Sequence, residues 1–302
     1  MSDKAILVQF THPGGQHTLN AKEQKSGIKE WNYGPHRRKF LKAEGRYAQK
    51  DGTLSPRMQL LFWGEWEPTS QATAIEHSEG SGIMPKMVHE PFLYKENGML
   101  ITPPGKDSRG RTRQNTDPFV FGECFLYSCC KQRKRIKKSN RTKFTRMGRL
   151  TAGSIILFGS TISRKEGGPY FVLDTLFVVD EQKEYTKEKS LNEFIPHDYS
   201  EIMGFEHWAD DYNFVCYKGA TARRPINGMF SFVPCKPCAE GVAGFPRVRL
   251  GSGDFNFITD NLNAAPKYSS HDNIKEVWER LCDIVRQQGF ELGVDFCYNY
   301  RH

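Results

Sequence analysis

At 302 residues, 38% of them hydrophobic and 26% charged, the chain has apolar material for one large core or two modest ones and needs no disulfide staples to fold. No run approaches the roughly 18 apolar residues of a membrane span, and MSDKAILVQF lacks the cationic start and apolar stretch of a secretion signal, so a cytoplasmic protein with no membrane partner is expected. The 43 Lys and Arg outnumber the 35 Asp and Glu for a formal charge of +8, which makes nucleic acid the first partner to consider.

Taken in chain order, the predicted elements are mostly strands. AILVQF (5–10) is the first, and THPGGQH then sets His12 and His17 around a Gly-Gly turn. Backbone amides of such a turn can receive phosphate or a sugar hydroxyl, and two His without a third ligand favour a polar binding loop over a metal site. A tight turn made by Gly14 and Gly15 is the plainer alternative. MQLLFWGEW (58–66) reads as the next strand, with Glu65 between Trp63 and Trp66. That arrangement offers a carboxylate with an aromatic shelf for a base, although any single Trp or Phe is more often core. The stretches 76–91 and 97–118, rich in Gly, Pro and Ser, are long enough for functional loops. A short helix is expected within 121–131 and another from about Lys187 in KEKSLNEFI. SIILFGS (154–160), YFVLDTLFVVD (170–180), YNFVCYKG (212–219) and GMFSFV (228–233) are further strands. In HDNIKEVWERLCDIVRQQG (271–289), Ile274, Val277, Trp278, Leu281, Ile284 and Val285 share one helical face, opened by Asp272 or His271 and stopped by Gly289. No internal repeat is present.

The most informative stretch is NTDPFVFGECFLYSCCK (115–131), which runs into KQRKRIKKSNRTKFTR (131–146), where nine of sixteen residues are Lys or Arg. Such a run gains free energy when phosphates replace its counterions. A second cluster, KDSRGRTRQ (106–114), precedes it. Arg109, Arg111 and Arg113 on one side, with Lys131, Arg133, Lys134, Arg135, Lys137 and Lys138 on the other, would line a groove that tracks a DNA backbone. Phe119 and Phe121 between them join Trp63, Glu65, Trp66, His12 and His17 as expected base contacts. A solvated basic loop is the plainer reading of the run.

Eight cysteines at irregular spacing, without a secretion signal, read as reduced thiols. Cys235 and Cys238 form CKPC, half a zinc signature, which Cys124, Cys129 or Cys130 would have to complete. Cys129 and Cys130 are adjacent, a spacing that rarely lets both bind one tetrahedral ion. A turn with two incidental thiols is simpler, and neither a metal nor another cofactor is expected. The chain has no GxxxxGK[ST] and no GxGxxG after a strand. Nucleotide hydrolysis and dinucleotide redox chemistry therefore lack their motifs, and zinc deamination is not expected.

PFVFGECFLYSCCK (118–131), followed after the basic insertion by GRLTAGSIILFGS (148–160), resembles the nucleotide-modification-associated domains. These carry a Pro-Phe-Gly-x-Cys-x-Leu-x-x-Cys-Cys-Lys type of segment and then Gly-Asp at the start of a strand. Here the matching residues are Phe121, Gly122, Cys124, Leu126, Cys129, Cys130 and Lys131, and Gly153-Ser154 stands in place of Gly-Asp. The wider group is similar to the PUA, ASCH and EVE barrels. The resemblance implies an α+β protein: a PUA-like curved β-barrel over 1–185 with long basic loops, and an α+β extension over 186–302. That extension would be packed on the barrel or continuous with it, and would end in the amphipathic helix.

The same resemblance implies association with hypermodified DNA, often in phage or defence settings. The expectation is a protein acting on modified bases of double-stranded DNA. Most sharply, it is a DNA glycosylase that flips a bulky cytosine, such as glucosylated hydroxymethylcytosine, and leaves an abasic site. That chemistry needs a carboxylate or amide beside an oxocarbenium-like centre. Asp117, its backbone fixed by Pro118, is the first candidate, with Asn115 to orient water and Glu123 to assist. Asp254, near Asn256 and Asp260 in GDFNFITDN (253–261), competes with it. A turn-forming role for Asp117 is the plainer alternative. A non-catalytic reader of modified DNA and an RNA-binding module are the other classes.

Overall fold

The computed structural model describes residues 4–136, 142–162, 170–186, 193–205, 213–239, 241–251 and 266–302. Strand Ile6–Thr11 is buried along its whole length, Gln9 included, as a strand covered on both faces requires. It pairs in parallel with Ile155–Ile162 and antiparallel with Lys267–Ser270. Ile155–Ile162 returns antiparallel as the 16-residue strand Tyr170–Tyr185, with a bulge at Phe158/Gly159. A Cβ on Gly159 would fall 2.0 Å from the Val172 carbonyl oxygen, so only glycine fits there. The far half of Tyr170–Tyr185 carries Phe214–Gly219, which in turn pairs with Leu126–Tyr127.

A second sheet closes on itself. Lys39–Ala48 pairs with Met58–Gly64, that strand with Val233–Pro237, and that one with Glu291–Phe296. Glu291–Phe296 then pairs back to Lys39–Ala48, giving a small closed β-barrel. Closure brings the backbones so near that a Cβ on Gly45 would lie 2.4 Å from the Asp295 carbonyl oxygen. Met87–Glu96 and Ser70–Ala74 extend this sheet outward from Lys39–Ala48. The fold is thus a β-rich α+β arrangement. Strands from both halves of the chain enter both sheets, so the boundary expected near 185 runs through them.

The C-terminal helix Ile274–Gln287 is capped by Asn273, whose side chain accepts from the Glu276 amide, one residue later than the expected start. It buries Trp278, Leu281, Cys282 and Val285, and Trp278 Nε1 donates to the Phe230 carbonyl at 2.9 Å. The helix expected within 121–131 is not formed. Gly122 (φ 72°) and Glu123 (φ 55°) break it, and Leu126 instead pairs with Phe119 across a β-bridge. The start expected near Lys187 lies outside the described residues, and the helix found in this region, His197–Met203, begins after Pro196. GMFSFV (228–233) contributes only its last residue to a strand, Val233–Pro237.

Candidate active site

Five segments remote in sequence meet where the two sheets adjoin. His12 follows strand Ile6–Thr11, while Arg38 and Lys39 stand at the start of Lys39–Ala48. Glu65 and Glu67 follow Met58–Gly64. Extended backbone turns alternate residues to one side, so Glu65 and Glu67 point together into the site. Trp66 points away and packs on Phe121 and Tyr298 at ring separations of 4.9 and 5.2 Å. Cys130 follows Leu126–Tyr127, and Asp174 projects from Tyr170–Tyr185.

Glu65 is the hub. Its Oε1 accepts from His12 Nδ1 at 2.5 Å and from the Arg38 guanidinium. Burial alone would raise its pKa, but Arg38 and then His12 hold it well below the usual carboxylate range. Arg38 Nε lies 2.9 Å from Asp174, whose other oxygen is 3.5 Å from Arg247. Glu67 accepts from Lys39 Nζ at 2.7 Å and from His36 Nδ1 at 3.2 Å. Against burial, Lys39 and His36 bring Glu67 down to about 2. Glu67 and Glu65 in turn lift the proton affinity of His36 to about 9, despite burial.

His12 holds Glu65 through Nδ1 and stands beside the Cys130 sulfur, so the two influence each other's charge. Burial lowers the His12 pKa, yet Glu65 and Cys130 together leave it raised. The Cys129 thiol, 3.8 Å away, donates to Cys130 and is the first cause of a Cys130 pKa well below the ordinary thiol range. Burial opposes this shift, and the bond to His12 and the charges of His12 and His36 reinforce it. Cys130 is only half-buried. The arrangement brings a thiol of lowered pKa, a histidine of raised pKa and a buried carboxylate together, with His12 hydrogen-bonded to Glu65, the groups an activated nucleophile needs with its acid-base partner and orienting group.

Asp117 lies against the Cys129–Cys130 end of this series. It is fully buried, and it accepts the amides of Ser128, Cys129 and Cys130 at 2.9, 3.0 and 3.1 Å. It thereby shapes the turn that presents Cys130. Burial, followed by the charge of the Cys130 sulfur, pushes its pKa up to about 7 against the pull of those amides. The Asn115 side chain lies 3.7 Å from the Cys129 sulfur. Glu123 pairs with Arg223 at 3.1 Å. Asp254, Asn256 and Asp260 lie outside the described residues.

The aromatic shelf expected for a base is core instead. Trp63, Trp66, Phe119 and Phe121 are buried, and the two indole N–H groups donate to the carbonyls of Phe245 and Thr69 at 2.8 Å. His17 is also buried, against Glu23 at 3.7 Å and edge-on to His89. The first basic cluster is largely tied down. Arg111 pairs with Asp107 at 2.7 Å, and Arg113 donates to the carbonyls of Pro103 and Glu201 while covering Trp31. Arg109 is exposed. Lys131 turns inward, donating to the Thr11 carbonyl and standing 4.4 Å over Phe10 beside Cys130. Arg133 donates to the Asn213 carbonyl at 2.6 Å.

Lys134 and Arg135 remain exposed on a hairpin formed by Arg133–Arg135 and Thr142–Phe144. Lys137 and Lys138 lie outside the described residues. Lys134 lines a cavity of about 710 Å³ with Lys4, Lys143, Arg146 and Arg149, and no carboxylate among the described residues lines it. Thr145, also on its wall, donates to the Lys131 carbonyl at 2.6 Å.

Two side-chain groups have metal-ligand spacing: His36 with Glu65 and Glu67, and Asp117 with Cys129 and Cys130. In the first, Arg38 and Lys39 already neutralise the carboxylates, and in the second Asp117 is filled by amides. Cys235 is buried in the barrel wall, and Cys238 donates to the Gly241 carbonyl at 3.3 Å. Among the described residues the pair joins no cluster of three metal-ligating side chains. Comparison with family models, with curated proteins and with solved structures returns no match.

The sequence did not point to Cys130 as a reactive thiol, nor to His36, Arg38, Lys39, Glu67 and Asp174. One signal was present: Glu-Trp-Glu at a strand end places two acids on the side opposite an aromatic core residue.

Proposed function

We propose that this protein is a cysteine-dependent enzyme acting on nucleic acid, with modified DNA as the substrate class suggested by the segment 118–131. The observation that carries the reading is the series Cys130, His12, Glu65. In it the Cys130 thiolate attacks an acyl or glycosidic carbon of a modified base, forming a sulfur–carbon bond. The bond to the leaving group breaks as His12 hands it a proton. Water then cleaves the sulfur–carbon bond, with neutral His12 taking its proton, and the thiolate is restored. Glu65 keeps the ring oriented and stabilises its charged form. The cationic groove supports nucleic acid as the substrate, since phosphates are the groups best accommodated by its Lys and Arg side chains other than Lys4, which pairs with Asp272.

A glycosylase working through Asp117 is a weaker reading, because that carboxylate is occupied by three amides. A non-catalytic reader of modified DNA is the second reading, favoured by the groove alone. A PUA-like ancestry remains a proposal resting on the sequence segment and on the presence of a small closed barrel.

The test is to incubate the protein with matched DNAs, unmodified and carrying glucosylated hydroxymethylcytosine, and to follow both protein mass and released base. Turnover or a protein adduct on modified DNA, abolished in Cys130→Ser and His12→Ala, is expected. Product formed equally well by Cys130→Ser overturns the thiol mechanism. Retention of DNA with no chemistry in any form selects the reader.

A further inference from the structure

A second cavity, of about 630 Å³, opens beside the near half of Tyr170–Tyr185, and none of Cys130, His12 or Glu65 lines it. Its volume lies in the range of small-molecule sites. Three cations line it, Lys236, Arg247 and Arg249, against one carboxylate, Glu79. Arg247 is spoken for: its guanidinium reaches Asp174, Ser160 Oγ at 3.0 Å and the Gly14 carbonyl at 3.1 Å. Lys236 and Arg249 have no carboxylate partner among the described residues, and each is held on an aromatic face. Lys236 stands 4.9 Å over Phe290, and Arg249 lies 4.0 Å over Tyr170.

A guanidinium stacked on one ring presents its other face to a second flat group. Ile83, Ile162 and Val172 supply an apolar wall nearby. The turn at Gly80 and Gly82, both with positive φ, forms another side and packs on Pro246.

From this pairing of two uncompensated cations with a stacking surface and an apolar wall, we infer that the cavity binds a nucleoside phosphate. The phosphate meets Lys236 and Arg249, and the base lies on the Arg249 guanidinium against the apolar wall. The site goes beyond the proposed chemistry at Cys130 and does not depend on it.

Titration calorimetry of the full chain with the nucleoside monophosphates of each common base, the matching uncharged nucleosides and inorganic phosphate tests the site. At least one monophosphate should bind more tightly than either its nucleoside or phosphate alone. Lys236→Gln, at a half-buried position, and Arg249→Gln, at an exposed one, should each raise its Kd by about tenfold or more. The double variant Lys134→Gln/Lys143→Gln, in the other groove, should leave that Kd unchanged. No binding by the wild-type protein at millimolar nucleotide overturns the inference. So does loss of binding only in the Lys134/Lys143 variant, which would assign the ligand to the basic groove and leave the Cys130 reading untouched.

Discussion

The carboxylate of Asp117 is enclosed by the amides of Ser128, Cys129 and Cys130 and by the Cys129 thiol at 3.3 Å. Removing it leaves three donors without their acceptor, and each unsatisfied buried group costs about 1–3 kcal/mol. Asp117→Ala should therefore lower stability by roughly 3 kcal/mol or more in denaturant melts, whereas Asp117→Asn, which keeps one acceptor oxygen, should cost about half as much. A loss below about 0.5 kcal/mol for the alanine variant would mean the turn holds itself. The turn-forming alternative for this residue was legible from Asp-Pro alone. What it holds in place was not, because the amides it accepts lie 11 to 13 residues away and across a β-bridge.

The hairpin formed by Arg133–Arg135 and Thr142–Phe144 divides the basic run by role. Arg133 bonds back to Asn213 and Thr142 and covers Phe144 at 4.5 Å, while Lys134 and Lys143 face the groove. Each phosphate contact adds about 0.9 to the slope of log K against log salt. Lys134→Gln/Lys143→Gln should therefore reduce that slope by about 2 in fluorescence-anisotropy titrations of duplex DNA at several salt concentrations. An unchanged slope would remove the groove from the binding surface. The strands with continuous apolar or β-branched runs, Ile6–Thr11, Ile155–Ile162 and Tyr170–Tyr185, were visible in the sequence. Two long strands of the barrel sheet were not. Lys39–Ala48 is broken up by charged residues, and Met87–Glu96 begins inside a stretch of loop-like composition. Both are strands because neighbouring chains satisfy their backbone groups, which outweighs weak local propensity.

Across the molecule, the buried charges of the site couple folding to pH. His36 is protonated up to about pH 9 in the folded state because Glu67 and Glu65 outweigh its burial, against 6.5 for a free imidazole. The folded state keeps a proton that the unfolded chain releases. This contribution is fully present below pH 6.5 and is lost as pH rises to about 9. Between those values the stability of the wild-type protein should fall more steeply with pH than that of His36→Gln in urea melts at matched ionic strength. Parallel curves would show that His36 carries no linked proton. No helix among the described residues is long and apolar enough to cross a membrane, in keeping with the expected absence of an apolar span.

By itself the sequence determined the excess of positive charge, the prevalence of strands, the amphipathic C-terminal helix and the singular character of segment 115–131. All of these are local properties of composition and period. Only the tertiary structure decided which residues act together. The parallel pairing of Ile6–Thr11 with Ile155–Ile162 and the closure of Glu291–Phe296 onto Lys39–Ala48 bring His12, Arg38, Glu65, Cys130 and Asp174 to one point. Their separations along the chain, 53 residues from His12 to Glu65 alone, carry no periodic signal. The same packing turned four aromatic residues inward and left the charge-bearing groove outside. Burial is fixed by what lies across the sheet, and side-chain type alone does not state it.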